Sequence, residues 1–299
     1  MPISLILSEK NVIIDRDPAD PAPGRPKGGA MFEYAAIPER SFPDIGKYDI
    51  LGSSEKLIDL ENLGFEILSV YYARLLPGAT YEAYARESVA DMLIKAQGLL
   101  PKGYSLVILD AWRPISVQQA LWDEFRRIVS EGEPGLGEEE LDYKTSFFVS
   151  KPSYDIYSPS VHNTGGAVDL TLRDCRGHIL NMGTGFDDFR ETANTAYYEK
   201  PGLNEEIRNN RRLLYHTMLN AGFSNLPTEW WHYDYGTKFW AYFTGNTALY
   251  EGILERYTRV FLPFLYSDLS MLIPAPSFSF EQRAFISSME ICSAPRETR

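Results

Sequence analysis

Apolar residues recur at helical spacing from Tyr81 to Gln97, where Ala85, Val89, Met92, Leu93 and Ala96 share one face, so a core-facing helix ended by Gly98 is expected. Tyr104 to Leu109 is a short run rich in Val and Ile that reads as a buried strand. Asp110-Ala111-Trp112-Arg113-Pro114 follows, then a second helix carrying Val117, Leu121, Phe125 and Ile128, which sets Arg113 at a strand-to-helix junction. The acidic, Gly-rich piece from Glu131 to Glu140 reads as a surface loop. Ala167 to Leu172 alternates, with Val168, Leu170 and Leu172 on one face and Ala167, Asp169 and Thr171 on the other, the pattern of a half-buried strand. Asn204 to Ala221 repeats the helical pattern through Ile207, Leu214 and Met218 and stops at Gly222, and the aromatic segment Trp230 to Tyr235 reads as a further strand. Helices and strands alternate irregularly, without βα repetition, so the expectation is an α+β fold with a mainly antiparallel sheet flanked by helices.

Residues 16 to 45 break this regularity. Asp17-Pro18-Ala19-Asp20-Pro21-Ala22-Pro23-Gly24-Arg25-Pro26 is expected to lack regular structure or to lie draped over the domain. At 299 residues the chain is long enough for a substantial core without disulfides, and its two cysteines, Cys175 and Cys292, have no paired-motif spacing. A formal charge of -12 works against nucleic-acid partners, whose binding rests on Lys and Arg neutralising phosphates. Met1 to Lys10 has a short apolar patch without a basic leader, and Val260 to Ile273 is interrupted by Pro263 and Asp268. The expectation is therefore no membrane span and a cytoplasmic location.

Only four histidines occur, at positions 162, 178, 216 and 232, so a histidine-based metal site has few residues to draw on. In Ser160-Val161-His162-Asn163-Thr164-Gly165-Gly166-Ala167-Val168-Asp169, a fully extended path would set His162 and Asp169 roughly 23 Å apart. The Asn163-Thr164-Gly165-Gly166 stretch supplies a reversal through which the two side chains can converge. A plain loop histidine and a hydrogen-bonded strand aspartate would also fit this segment, but Asp169 between Val168 and Leu170 needs a partner. Pro227-Thr228-Glu229-Trp230-Trp231-His232-Tyr233 places an acid three residues before a histidine among large aromatics. The spacing puts Glu229 in the turn after Pro227, reaching the site from its rim.

Two imidazoles and one carboxylate are the protein ligand set of a catalytic zinc site with an open fourth position. His162, Asp169 and His232 are thus the candidate ligands of one Zn2+ per chain, and Glu229 is the candidate general base for hydrolysis. Arg113 is the candidate for stabilising the resulting oxyanion, with a purely structural Asp110–Arg113 ion pair as the competing reading. His178 and His216 are assigned no role at the metal.

Together, Asp110 to Pro114, Ser160 to Leu172 and Glu229-Trp230-Trp231-His232 resemble the zinc D-alanyl-D-alanine dipeptidases, the vancomycin-resistance type enzymes and their housekeeping relatives, over roughly residues 65 to 240. The resemblance implies a hedgehog/D,D-peptidase type fold, the same zinc ligands and base, and Arg113 as transition-state stabiliser. It further implies that Ser160 helps bind the C-terminal carboxylate of a small zwitterionic dipeptide and that Asp187 holds its ammonium, with Asp188 an adjacent alternative. The family's substrate-contacting tyrosine has three competing positions, Tyr71, Tyr72 and Tyr81. An N-terminal arm (1–59) and a C-terminal extension packed on or near the domain (246–299) exceed the catalytic domain (60–245). The implied reaction is hydrolysis of D-Ala-D-Ala or a related D,D-dipeptide in cell-wall metabolism. A D,D-carboxypeptidase acting on peptidoglycan stems and a non-catalytic zinc-stabilised binding module are the alternatives, and association into homo-oligomers is left open.

Overall fold

The computed structural model describes residues 34–255. The arm before residue 34, including its proline-rich run, and the apolar stretch from Val260 to Ile273 lie outside the described residues. Among the described residues, no helix is long and apolar enough to cross a membrane.

The centre of the α+β fold is a five-stranded sheet in the order β2 (Glu66–Ile67), β4 (Ser105–Asp110), β5 (Ala167–Arg173), β7 (His232–Asp234), β6 (Ser224–Asn225). β2 runs parallel to β4, and the three other pairings are antiparallel. A separate two-stranded ribbon pairs β1 (Leu57–Asp59) with β3 (Tyr84–Arg86). Among the described residues six α-helices surround the sheets: α1 (Val70–Ala73), α2 (Glu87–Leu99), α3 (Ile115–Gly132), α4 (Glu138–Thr145), α5 (Glu205–Ala221) and α6 (Lys238–Thr244).

β5 is buried on both faces, not half-buried as its alternation suggests. It is the middle strand, so Val168, Leu170 and Leu172 join the core with Leu93, Leu214 and Met218, while Asp169 faces inward on the other side. The first long helix begins at Glu87 rather than near Tyr81, because Tyr84 to Arg86 are taken by the ribbon with β1. It runs through Gly98 to Leu99, where extended Leu100 before Pro101 stops it. The acidic loop expected up to Glu140 ends earlier: Glu138, Glu139 and Glu140 form the first turn of α4, where negative charge suits the helix dipole. The strand expected from Trp230 to Tyr235 is confined to His232–Asp234. Asn204, by contrast, caps α5 by accepting from the backbone N–H groups of Glu206 and Ile207, and Gly222 terminates the helix.

The segment after α6 ties together two loops that belong to the site. Ile253 N–H donates to Asn163 O (2.7 Å), Ile115 N–H to Leu254 O (2.7 Å) and Trp112 Nε1–H to Ile253 O (2.8 Å). Arg86, 1 % exposed, braces the same region by donating to the carbonyls of Thr164, Glu55 and Glu251 at 2.7 to 2.9 Å.

Candidate metal centre and cleft

Sheet register does most of the assembly. Asp169 on β5 stands directly opposite His232 on β7, and Asp110 on β4 is paired with Asp169 across a register shift after Ile108. Opposed residues present their side chains to the same face, so two of the candidate ligands are cross-strand neighbours. The irregularity in β4 turns Asp110 toward them. His162 arrives from the short 3₁₀ turn Val161–Thr164, which ends in Gly165 at φ 73°. Gly166 then passes so close to the residue that follows β7 that a Cβ would lie 2.6 Å from Tyr235 O. Both glycines are demanded by the reversal.

His162, Asp169 and His232 each offer a ligand atom within 4.8 Å of the others, and all three residues are buried. His162 Nε2 lies 3.2 Å from His232 Nδ1 and 3.3 Å from Asp169 Oδ2, and His232 Nδ1 lies 3.0 Å from Asp169 Oδ1. The opposite ring nitrogens are already engaged. His162 Nδ1 lies 2.8 Å from the Ala111 carbonyl, and His232 Nε2 lies 3.0 Å from Asp234 Oδ2. Such outer acceptors fix the tautomer that leaves the inward nitrogen's lone pair for a metal. The donor set, its burial and its second layer therefore fit a small divalent cation of the zinc type.

Electrostatics agree with that geometry. Burial acts to raise Asp169, yet His162 and His232 outweigh it and hold its carboxyl well below the usual carboxylate range. Burial acts against charge on His232, but Asp234 and Asp169 push its pKa well up.

Glu229 lies in the turn closed by its N–H on Leu226 O (3.1 Å), and its Oε2 is 3.8 Å from His232 Nδ1. Its side chain retains 27 % of its surface, open to the cleft, and burial of the rest raises its pKa above the ordinary glutamate value. Arg113 is buried, and each of its three guanidinium nitrogens is hydrogen-bonded. It reaches Asp110 Oδ2 (2.7 and 3.0 Å), Gln118 Oε1 (2.9 Å) and Tyr71 Oη (3.2 Å), and stands 3.9 Å from Asp169 Oδ2. The structural ion pair with Asp110 is thus present, and it fixes Arg113 beside the ligands. Burial opposes the guanidinium charge, but Tyr71, Asp110 and Asp169 raise its pKa further, so it is permanently protonated.

Ser160 and Asp187 line the same cleft, which encloses about 640 Å³. The Ser160 hydroxyl is buried with no hydrogen-bond partner. Asp187 sits at φ 57°, a conformation that Asp and Asn tolerate better than other side chains. Its Oδ1 accepts from the Tyr71 hydroxyl (3.3 Å), while Oδ2 is buried without a hydrogen bond, 3.6 Å from Arg74 Nη1. Burial pushes its pKa up to about 7 against the pull of Arg74 and Arg113. Asp188 also borders the cleft but is held by Arg190 in an ion pair. Of the three competing tyrosines, only Tyr71 enters the cleft. Tyr72 and Tyr81 are exposed and pack on each other at 6.1 Å.

His178 lies beside Asp174 in an exposed turn, and His216 stacks on Tyr34 at 5.3 Å, both apart from the cluster. Asp234 and Gln118 are site residues that the sequence motifs do not single out. Asp234 carries a legible signal, two residues beyond His232 and so on the same strand face. Gln118 carries none, since its contact with Arg113 depends on how α3 leaves the Pro114 corner.

Comparison with known proteins bears on the same segment. The family model described as D-ala-D-ala dipeptidase matches residues 80–246. The D-alanyl-D-alanine dipeptidase of Escherichia coli (strain K12) is 35% identical over 134 residues, 44% of this chain and 55% of that protein. That of Synechocystis sp. is 31% identical over 154 residues (46% and 62%), and that of Enterococcus faecium 33% identical over 149 residues (48% and 69%). The matched part therefore spans roughly half to two thirds of these relatives' length. A solved vancomycin-resistance D,D-pentapeptidase, VanY, in complex with Zn(II), aligns at 16% identity with a TM-score of 0.32, covering 57% of this chain and 84% of that one. With a family model matched across more than half of its residues, this chain belongs to the D-ala-D-ala dipeptidase (Peptidase_M15) family.

Proposed function

We propose that the protein is a zinc-dependent dipeptidase that hydrolyses D-Ala-D-Ala or a related small D,D-dipeptide. The observation that carries this reading is the meeting of His162, Asp169 and His232 inside 4.8 Å, with Glu229 3.8 Å from His232 and facing the same cleft. Family membership and the names of the curated relatives support the substrate class. Zinc held by the three ligands supplies Lewis acidity, acidifying water and polarising a carbonyl oxygen.

The protein's own groups do the rest. Glu229 accepts the proton of the attacking water and returns it to the leaving amine, a task suited to a carboxylate whose pKa is raised by burial. Arg113, locked by Asp110, Gln118 and Tyr71, presents fixed positive charge to the oxyanion. Ser160 receives the dipeptide's carboxylate, and Asp187, aided by Tyr71, receives its ammonium, so the zwitterion is held at both ends. The reading includes a hedgehog/D,D-peptidase type fold with a mainly antiparallel sheet, and a catalytic domain over 60–245 with an arm (1–59) and an extension (246–299). It also includes a role in peptidoglycan turnover in the cytoplasm.

The test is zinc content by metal analysis, paired with D-alanine release from D-Ala-D-Ala by the full chain. Release that requires zinc and is abolished by Glu229→Ala supports the proposal. Zinc bound at one per chain with no turnover across a D,D-dipeptide panel removes it. Cleavage of a stem pentapeptide in preference to the dipeptide would replace it with a D,D-carboxypeptidase.

A further inference from the structure

Two guanidinium groups lie over the Tyr71 ring, Arg113 with its Cζ 4.9 Å and Arg74 with its Cζ 5.8 Å from the centroid. The Tyr71 hydroxyl accepts from Arg113 Nη2 (3.2 Å) and donates to Asp187 Oδ1 (3.3 Å). Arg74 Nη1 stands 3.6 Å from the other oxygen of that carboxylate, Oδ2, while its Nη2 donates to Glu124 Oε2 at 2.6 Å. A connected row thus runs from Asp110 through Arg113, Tyr71, Asp187 and Arg74 to Glu124 on α3. Asp187 and Tyr71 line the cleft, whereas Arg74 and Glu124 are not part of its wall.

The charges in this row do not cancel. Arg113 is paired with Asp110 at 2.7 Å and Arg74 with Glu124 at 2.6 Å, which leaves the charge of Asp187 over. Arg74 Nη1 and Asp187 Oδ2 are both buried, and neither forms a hydrogen bond. The short bond to Glu124 therefore holds the guanidinium back, close enough to attract Asp187 and too far to bond it. The other charged groups acting on Asp187 are Arg113, which favours its ionised form, and Asp169 and Glu229, which oppose it. Neighbouring Asp188 is occupied by Arg190. Burial drives a carboxylate towards its neutral form, and a neutral Asp187 has no charge to offer an ammonium. A cation bonded directly to it would keep it ionised but would also satisfy it. A nearby cation that is already paired does the first without the second.

We infer that the Arg74–Glu124 pair positions Asp187 for its ligand: Arg74 keeps the carboxylate charged and oriented, and Glu124 restrains Arg74, so that one negative charge remains for the ammonium of the dipeptide. The inference rests on the dipeptidase reading, in which Asp187 receives that ammonium, and adds two positioning residues behind the cleft wall.

The test titrates the Asp187 carboxyl of the zinc-loaded full chain by carbon-13 NMR, its signal assigned by loss in Asp187→Asn. KM for D-Ala-D-Ala is measured alongside at pH 7, where the dipeptide's ammonium is still largely protonated. Arg74→Gln is expected to raise the titration midpoint by about 1–3 pH units, the influence of a neighbouring arginine on an aspartate. A rise of one unit from about 7 takes the ionised fraction at pH 7 from about one half to about one tenth, so KM should rise at least about fivefold. Glu124→Gln should lower the midpoint, because unbalanced Arg74 favours the carboxylate, and yet raise KM several-fold, because the same charge repels the ammonium. The double variant, which leaves neither partner charged, should behave as Arg74→Gln does. In all three, kcat, zinc content and the affinity of an N-acylated dipeptide inhibitor should stay nearly unchanged, whereas a merely structural role would weaken both ligands alike. Midpoints that stay in place or move the same way in both single variants overturn the inference, as does a Glu124→Gln KM at or below that of the unaltered protein. Turnover of D-Ala-D-Ala by the unaltered protein keeps the dipeptidase reading in those cases. No turnover of any D,D-dipeptide with zinc bound removes that reading and this inference together.

Discussion

His162 Nε2 and His232 Nδ1, seventy residues apart in sequence, face each other at 3.2 Å, each with its other ring nitrogen already engaged by a protein oxygen. Two lone pairs brought together beside the Asp169 carboxylate repel one another unless a proton or a cation lies between them. Metal removal is therefore expected to lower stability as well as activity. At free zinc a hundredfold above its dissociation constant, linkage contributes about 2.7 kcal/mol. Differential scanning calorimetry with and without a chelator should show a Tm shift of several degrees that zinc restores, and Asp169→Ala should abolish the zinc-dependent part.

Replacing Glu229 by Gln keeps shape and removes the base. The kcat should fall by about 10²–10⁴-fold while zinc content stays unchanged. In the unmodified protein, burial raises the Glu229 pKa, and the base works only when deprotonated. Activity is thus expected to be lost as pH falls through a value above the ordinary glutamate range. A kcat profile whose acid limb survives in Glu229→Gln would contradict this assignment.

Asp187→Asn should separate stability from binding. The folded pKa of Asp187, about 7, lies above its unfolded value, so between about pH 4 and 7 the folded state retains a proton that the unfolded state has released. Stability contributed by this group therefore declines as pH rises through that window, and the full penalty applies above it. Asparagine tolerates the φ of 57° and carries no charge, so the variant should be more stable at pH 8 by on the order of 1–4 kcal/mol. Its KM for a zwitterionic dipeptide should rise, with little change in KM for an N-acylated analogue. Denaturant melts at pH 5 and 8 with paired KM measurements check both parts.

Arg113→Lys preserves charge but cannot reproduce simultaneous contacts with Asp110, Gln118 and Tyr71. A loss of about 10²–10³-fold in kcat is expected, the scale for removing one oxyanion donor. Zinc affinity should change far less, as an equilibrium competition with a chromogenic chelator would show.

Arg86 lies outside the cleft yet satisfies the carbonyls of Thr164, Glu55 and Glu251. Arg86→Met leaves those acceptors and the Glu251 carboxylate without their cation, at a cost of roughly 3–5 kcal/mol. Urea unfolding should show the loss, and zinc affinity should fall with it, because the Thr164 carbonyl belongs to the loop that carries His162.

Much of the site is legible in the amino-acid sequence, because its chemistry is written in scarce residue types. With four histidines in the chain, the neighbourhoods of His162 and His232 stand out, and the Gly165-Gly166 pair marks the reversal between His162 and Asp169. Element types are also legible wherever apolar spacing is regular, as in α3 and α5. The boundary near Tyr81 is not. Ala85 fits a helical face and a strand equally well, and the ribbon pairing with Leu57–Asp59 decides between them.

Local pattern by itself determined that this protein has helices and strands in mixed order, a tight turn after His162 and an acid poised in the turn before His232. Tertiary structure alone decided that Asp169 and His232 are cross-strand partners, that the Ala111 carbonyl and the Asp234 carboxylate engage the outer ring nitrogens of His162 and His232, and that Tyr71 is the tyrosine at the cleft. The division follows from range. Periodicity and turn chemistry act over a few neighbouring residues, whereas strand register and the contacts between distant loops arise only when separate segments bury their apolar faces against a common sheet.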